Sequence, residues 1–361
     1  MFNIKSRTSF PRIVGGSALA LSVIGTLWSA PSFARTINIA ETGSTLLYPL
    51  FNIWVPAYTH SHPGVRINTQ GTGSGTGISE AISGVAQIGA SDAYMSNMQV
   101  KQNPAILNIP LAISAQTVNY NIPGLNGVHL KLSGPVLAGI YDGQIRYWNA
   151  PAITRLNPGV RLPHHLITPI HRTDGSGDTF IFSQYLSFST PYWNTHTGYG
   201  TTISWPAVRG GLGALGNPGM VQSCAQTPYS IAYIGVSFTK EVRRAHLGTA
   251  LLKNRAGRFL LPTKATVGAA AAQLIAKTPA DERISLVFAP GANSYPIINY
   301  EYAIVNDHQA NPAMASALRA FLSWCVDTQE GNARRFLRQV RFIALPPRIS
   351  ALSRKQIAKI H

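Results

Sequence analysis

Apolar positions change period repeatedly along this chain. "TINIAE" (36–41) and "VRINTQ" (65–70) alternate in steps of two, as strands do. Between them Leu47, Leu50, Phe51, Trp54 and Tyr58 recur at helical spacing on one face, which predicts a helix from Thr45 to about Thr59. Pro49 is tolerated because it falls in the first turn. A second helix is expected from about Gly77 to Val85, then a short strand at "IGASD". Strand, helix, strand, helix, strand is the rhythm of an α/β domain. Further on, "AISAQTVNYNI" is extended, residues 198–219 read as a Gly/Pro-rich surface loop, and "YPIINYEYAIVN" reads as a long strand before two helical runs. The chain carries no internal repeat or heptad array. A last segment that shares the α/β character of the first, yet lies far from it in sequence, predicts a discontinuous two-domain arrangement crossed twice by the chain.

Residues 1–34 stand apart from this pattern. A basic opening, "MFNIKSRTSFPR", precedes an apolar run broken by Gly and Ser, and Ser32-Phe33-Ala34 puts small residues at both cleavage-determining positions. This predicts a cleaved secretion signal and a mature chain from Arg35. No Cys stands at the cleavage point, which argues against a lipid anchor, and no later stretch is long and apolar enough to span a bilayer. Only Cys224 and Cys325 are present, so at most one internal bridge is available even in an oxidising compartment. Cys325 continues an apolar stripe of Met314, Leu318, Phe321 and Leu322 and is expected to be a buried core thiol; both cysteines are expected to stay unpaired.

The formal charge is +17, and with Lys5, Arg7 and Arg12 removed 27 bases remain against 13 acids. Nucleic acid would be the first partner to consider. The bases are scattered, however, and their densest clusters, "KEVRRAH" and "RRFLRQVR", are short and sit in no nucleic-acid motif. No nucleic-acid partner is expected; the charge is read as surface tuning or anion steering.

Three Gly/Ser/Thr-rich turns feed helices: "ETGSTLLYPLFNIW" (41–54), "GTGSGTGISEAI" (71–82) and "RTDGSGDTFIFSQYL" (172–186). Each helix start leaves about four amides unpaired and carries about half a positive charge. Small hydroxyl residues add donors, glycine admits a ligand oxygen to the backbone, and Arg172 offers a planar fork for two oxygens at once. Together they describe an anion receptor. Competing chemistries fail on spacing. A P-loop needs Lys and Ser/Thr after its last glycine, but Ile78 follows Gly77; a dinucleotide fingerprint needs Gly where Thr76 or Ile78 stands. Ser74 and Ser176 lack the flanking glycines of a nucleophile elbow. His60, His62, His164 and His165 lack carboxylate neighbours, and neither metal nor cofactor is expected.

"GSTLLYP", "QGTGSGTGI", "IGASD", "HRTDGSGDTF" and "YPIINYEYAIV", in this order and at these separations, resemble the periplasmic phosphate-binding protein of the Pst-type ABC importer. The resemblance extends through "GQIRYWNAPAITRLNPGVRLP" and "QVRFIALPP", essentially the whole mature chain. It implies an α/β fold of the type II periplasmic-binding-protein kind: two lobes, each a mixed sheet flanked by helices, joined by a two-strand hinge. The lobes are expected at 35–115 with 291–361, and at 116–290. The resemblance further implies a non-catalytic periplasmic receptor, monomeric, that hands inorganic phosphate to membrane permease subunits. By the same carry-over, Thr45 and Leu46 donate from the first turn, with Ser44 behind them, and Ser74 gives a hydroxyl. Asp92 is the acceptor. Arg172 grips two phosphate oxygens, Asp174 holds its guanidinium, and Ser176 and Gly177 donate from the third helix start. Asp178 stands where the family commonly has threonine.

A carboxylate facing an anion makes sense once protons are counted. Phosphate near neutral pH keeps a P–OH that donates to Asp92; sulfate has none and would set oxygen against oxygen. Asp178 either extends this logic to a ligand with two protons, or points outward as a helix-start charge, or pairs with Arg172. Sulfate or molybdate binding is the alternative that Asp92 argues against, and a secreted phosphatase would need an activated nucleophile that the sequence does not display.

Overall fold

The computed structural model describes residues 36–361, so the expected signal at 1–34 lies outside the described residues. The first alternation folds as a parallel unit. Strand β1 (Ile37–Gly43) pairs in parallel with both β2 (Val65–Gln70) and β3 (Ile88–Ser91), and helices α1 (Tyr48–Ser61) and α2 (Ser74–Ser83) make the crossovers. Helix α1 begins three residues later than its periodicity implied. The cause is Ser44, whose Oγ accepts the amides of Leu46 (3.1 Å) and Leu47 (2.9 Å) and holds residues 45–47 in a turn. Helix α2 begins earlier than expected, with Ser74 as its first residue rather than part of the turn. Leu50, Phe51, Trp54 and Tyr58 bury the inner face of α1, each contributing about 1.5–3 kcal/mol if comparable with a fully buried aliphatic or Phe side chain. Trp54 anchors this face to the far end of the chain by donating Nε1–H to the Gly331 carbonyl at 2.7 Å.

Strand β4 (Ile106–Asn121) is 16 residues long and buried everywhere except Asn121, as a near-continuous apolar run covered on both faces should be. It changes partner midway. Ile106 to Ala115 pair antiparallel with β12, whereas Gln116 to Asn121 pair antiparallel with β8. The remaining strands are β5 (Lys131–Leu132), β6 (Thr168–Arg172), β7 (Leu212–Ala214), β8 (Ser230–Gly235), β9 (Gly248–Thr249), β10 (Leu251–Lys253), β11 (Phe259–Leu260) and β12 (Ile298–Asn306). The main sheet runs β2-β1-β3-β12-β4-β8-β6-β7, with β9 also on β4, and a small sheet runs β11-β10-β5. The chain is thus mixed α/β, as expected, and the two halves of its main sheet share β4.

The stretch 198–219 is not all loop. Its end forms β7, parallel to β6 with Gly213 opposite His171, and then opens α4 (Gly216–Gln226), which follows α3 (Gly177–Ser189). Glycine and proline density had masked a short edge strand and a helix start. On α5 (Pro312–Val326) the buried stripe is Ala315, Leu318, Phe321, Leu322, Cys325 and Val326, with Met314 only half-buried at its start. Cys224 and Cys325 are both free and buried. Among the described residues no helix is long and apolar enough to cross a membrane.

Candidate functional site

Strand ends and helix starts converge where β1, β3 and β6 stop. Asp92 follows β3, Ser44 follows β1, Ser74 opens α2, Arg172 ends β6, and Ser176 caps α3 by accepting the Thr179 amide at 3.1 Å. The ten residues singled out from the sequence fall into one connected cluster. Ser44 Oγ donates to Asp92 Oδ1 while also accepting the Leu46 amide, so Leu46 N–H is engaged rather than free. Ser74 Oγ accepts the Asp92 amide at 3.1 Å and donates to Asp92 Oδ2 at 3.4 Å. Gly177 lies against the same pair: a Cβ placed on it would sit 2.5 Å from Asp92 Cβ, Asp92 Oδ2 and Ser74 Oγ.

Arg172 is almost fully buried and held on two sides. Nε and Nη2 donate to the two oxygens of Asp174, the first at 2.6 Å, and Nη1 donates to Asp178 Oδ2 at 2.9 Å. Of its five N–H groups, two remain, one on each terminal nitrogen, which is the arrangement that fits two oxygens of one anion. Its backbone is fixed by Tyr233, whose Oη accepts the Arg172 amide at 2.9 Å and lies 2.7 Å from Thr179 Oγ1. Asp178 is the better satisfied carboxylate. Gln116 Nε2 donates to its Oδ1 at 2.9 Å and Asn217 Nδ2 to its Oδ2 at 2.6 Å, and Asn217 also donates to Thr45 Oγ1 from both its amide (3.1 Å) and its side chain (3.0 Å). Thr45 is therefore tied to Asp178 through Asn217, and Asp178 is paired with Arg172.

Burial governs the electrostatics. It opposes the charge of Arg172, but hydrogen bonds and charges from Asp174 and Asp178 outweigh it and raise the guanidinium pKa. Burial likewise works against the Asp174 carboxylate, which Arg172 nonetheless holds below the usual range. For Asp178 burial wins, and its carboxyl is pushed up despite Arg172, Gln116 and Asn217. Burial and the charge of Asp178 push Asp92 up to about 7, against the pull of Glu301, Ser44 and Arg172.

The glycines of "GTGSGTG" have a second explanation. A Cβ on Gly73, whose φ is +97°, would meet Asp174 Oδ2 at 2.5 Å and Gly175 O at 2.8 Å; one on Gly75 would meet Gly175 Cα at 2.9 Å. The Gly75 amide donates to Gly175 O at 2.7 Å, so two glycine turns from distant parts of the chain meet backbone to backbone. Gly77 instead lets α2 press against Ala90 O and Gly43 Cα. What approaches this loop so closely is in large part the protein itself.

Sequence reasoning passed over four residues of the cluster. Glu301, on β12, is fully buried, and Asn299 Nδ2 donates both to its Oε1 at 3.1 Å and to the Asp92 carbonyl at 3.3 Å. The signal of Glu301 was a lone acid in an apolar strand. Gln116 carried the same kind of signal, a polar residue inside the extended run of β4. Asn217, in a segment read as loop, and Tyr233, an ordinary strand aromatic, carried none.

A sequence model described as "PBP superfamily domain" matches residues 29–329. The phosphate-binding protein PstS of Methanocaldococcus jannaschii is 35% identical over 309 residues, 80% of this chain and 78% of its own. That of Pasteurella multocida is 32% identical over 307 residues, 85% of this chain and 86% of its own. Among solved structures, the phosphate-binding protein from Stenotrophomonas maltophilia matches with a TM-score of 0.67 at 18% identity, covering 89% of this chain and 94% of that one. A high affinity periplasmic phosphate-binding protein bound with phosphate matches at 0.66 and 19%, covering 88% and 93%. Those structures speak for the fold, and the sequence matches speak for descent: the chain belongs to the PstS family of phosphate-binding proteins within the PBP superfamily.

Proposed function

We propose that the cluster binds inorganic phosphate and that the protein is the periplasmic receptor, not an enzyme, that delivers it to the permease of an ABC importer. The observation that carries this reading is the buried Arg172 with one N–H left on each terminal nitrogen, set beside the start of α3 and opposite a buried Asp92. In this reading the Arg172 fork takes two phosphate oxygens, and the Gly177 amide with the hydroxyls of Ser74, Thr45 and Ser176 serves the others, the Ser176 amide being taken by the Thr201 carbonyl at 2.8 Å. Asp92 accepts the P–OH. Sulfate, with no proton to give, meets the carboxylate as a like charge, which in a closed site costs enough for large discrimination. Asp178 holds one Nη1 N–H of Arg172, beside the two held by Asp174, and, when protonated, donates to the ligand.

The domain reading is a proposal of the same kind. Lobes at 35–115 with 291–361 and at 116–290 are supported by the partner change of β4 between Ala115 and Gln116. In that reading the contact of the Gly75 turn with the Gly175 turn, joined at 2.7 Å, is the one by which the lobes close. The basic surface would help draw phosphate to the cleft, an effect that fades with salt. Secretion through a signal at 1–34 and action as a monomer complete the proposal.

Calorimetry of the mature chain with phosphate and with sulfate, beside a chromogenic phosphomonoester assay, tests it. Stoichiometric phosphate binding without turnover is expected. Equal affinity for sulfate would favour a general oxyanion receptor, and turnover would replace the reading by a phosphatase.

A further inference from the structure

Asp92 has a neighbour that the phosphate reading does not use. Glu301 lies on β12 opposite Ala112 of β4, is fully buried, and forms none of the ion pairs found among the described residues. Its two oxygens differ. Oε1 accepts from Asn299 Nδ2 at 3.1 Å and lies beside the Ser114 hydroxyl, whose single proton Asn299 Oδ1 also accepts at 2.7 Å. Oε2 has no protein donor at all. Tyr302, next to Glu301 on β12, pairs with Ser91, the residue before Asp92, which sets the two carboxyls side by side, and two carboxyl groups so placed bond to each other only if one of them holds a proton. With Asn299 donating to Oε1, the unpartnered Oε2 is the place for that proton. Asp92, for its part, is surrounded by the Ser44 and Ser74 hydroxyls, which donate to it, and so plays the ionised partner. Asn299 Nδ2 holds the two together by also donating to the Asp92 carbonyl at 3.3 Å.

Resting on the phosphate reading above, we propose that Glu301 is a specificity-determining residue. By keeping a proton and donating it to Asp92, it fixes Asp92 as a singly charged acceptor, so that the ligand must bring its own proton. The pair then carries one negative charge rather than two or none. With two, any anion would be expelled; with none, a neutral Asp92 could donate to sulfate and discrimination would fall. The charged groups facing Asp92 from the other elements are Asp178 and Arg172, which are paired with each other at 2.9 Å, and this leaves Glu301 as the carboxyl to share a proton with Asp92. Burial first, and then the charge of Asp92, push the Glu301 carboxyl well above its ordinary range, in keeping with a retained proton. Glu301 acts on the ligand through Asp92 and is a positioning residue.

The test uses the mature full-length chain as wild type, Glu301→Gln and Glu301→Leu, titrated with phosphate and with sulfate from acid to alkaline pH, with thermal melts to show that each variant is folded. Glutamine donates N–H at every pH. Glu301→Gln is therefore expected to keep phosphate affinity within about threefold at neutral pH and to lose less affinity than wild type at alkaline pH. Leucine donates nothing, Asp92 takes the proton itself, and the phosphate-to-sulfate ratio is expected to drop by about tenfold or more, one pK unit of altered coupling being one decade. Because phosphate's own ionisation is common to all three proteins, differences between their profiles report the protein. If Glu301→Leu folds and keeps the wild-type ratio, or if Glu301→Gln shows the wild-type pH profile, the proposal is overturned. If wild type itself binds no phosphate, the failure lies instead with the functional reading.

Discussion

Replacing Gly177 by alanine isolates the contact on which the closed site depends. The added methyl would lie 2.5 Å from Asp92 Cβ, Asp92 Oδ2 and Ser74 Oγ, where a comfortable separation is about 3.5 Å, so the two sides must part by about 1 Å. The backbone does not resist the change: Gly177 is the first residue of α3 and is not in the left-handed region, and alanine in a helix is favoured over glycine by up to about 1 kcal/mol. Asp92 and Ser74 belong to the first part of the chain and Gly177 to the middle, so the strain is relieved by moving these segments apart rather than by unfolding. Misplacing liganding groups by about 1 Å costs about 100-fold, taken here from its effect on reacting groups. That corresponds to about 2.7 kcal/mol at 1.36 kcal/mol per decade. Calorimetry with phosphate should therefore show Gly177→Ala weakened by about two orders of magnitude, while its melting temperature stays near that of wild type. Wild-type affinity would refute the reasoning, since the juxtaposition of Gly177 with Asp92 would then play no part in binding. So would an equal loss appearing in stability alone, because the segments would then be unable to separate.

Other consequences follow from the same cluster. Arg172→Met should abolish measurable phosphate binding and, by stranding Asp174 and Asp178 without their partner, cost about 3–5 kcal/mol in denaturant unfolding; unchanged stability would mean the pairs are idle. Asp178 has a raised pKa, so rising pH ionises it and strengthens its hold on Arg172 against the ligand; phosphate affinity should fall with pH more steeply in wild type than in Asp178→Thr, and identical profiles would remove Asp178 from the mechanism. Glu41, buried beside Thr69 with one oxygen unpartnered, is pushed from 4.5 to about 8, mainly by burial. The folded protein thus keeps a proton that the unfolded chain has released. Its contribution is complete below 4.5 and lost as pH rises to about 8, at up to about 1.4 kcal/mol per pH unit. Glu41→Gln should flatten the decline of melting temperature over that window; parallel curves would contradict the assignment.

Much of this molecule was legible along the chain because its signals are local. Period two marked β1 and β2, β12 was legible as a long strand, period 3.6 marked the buried face of α1, and three glycine-rich turns ending in helix starts pointed to an anion site. Arg172, Asp174 and Asp178 sit within seven residues, so their pairing is nearly a local event. Errors were local too: a Ser44 hydroxyl that caps two amides delays α1, and glycine and proline density hid β7 and the start of α4.

Sequence by itself determined the elements, the family and the residue types an anion requires, since these depend on side-chain period and on chemistry carried by neighbours in the chain. Only the tertiary structure decided which distant groups share a proton or a donor. Glu301 meets Asp92, and Asn217 joins Thr45 to Asp178, across separations of 209, 172 and 39 residues. The energy of a buried carboxyl is set by whatever the fold places beside it once water is gone, and no pattern along the backbone encodes that neighbour.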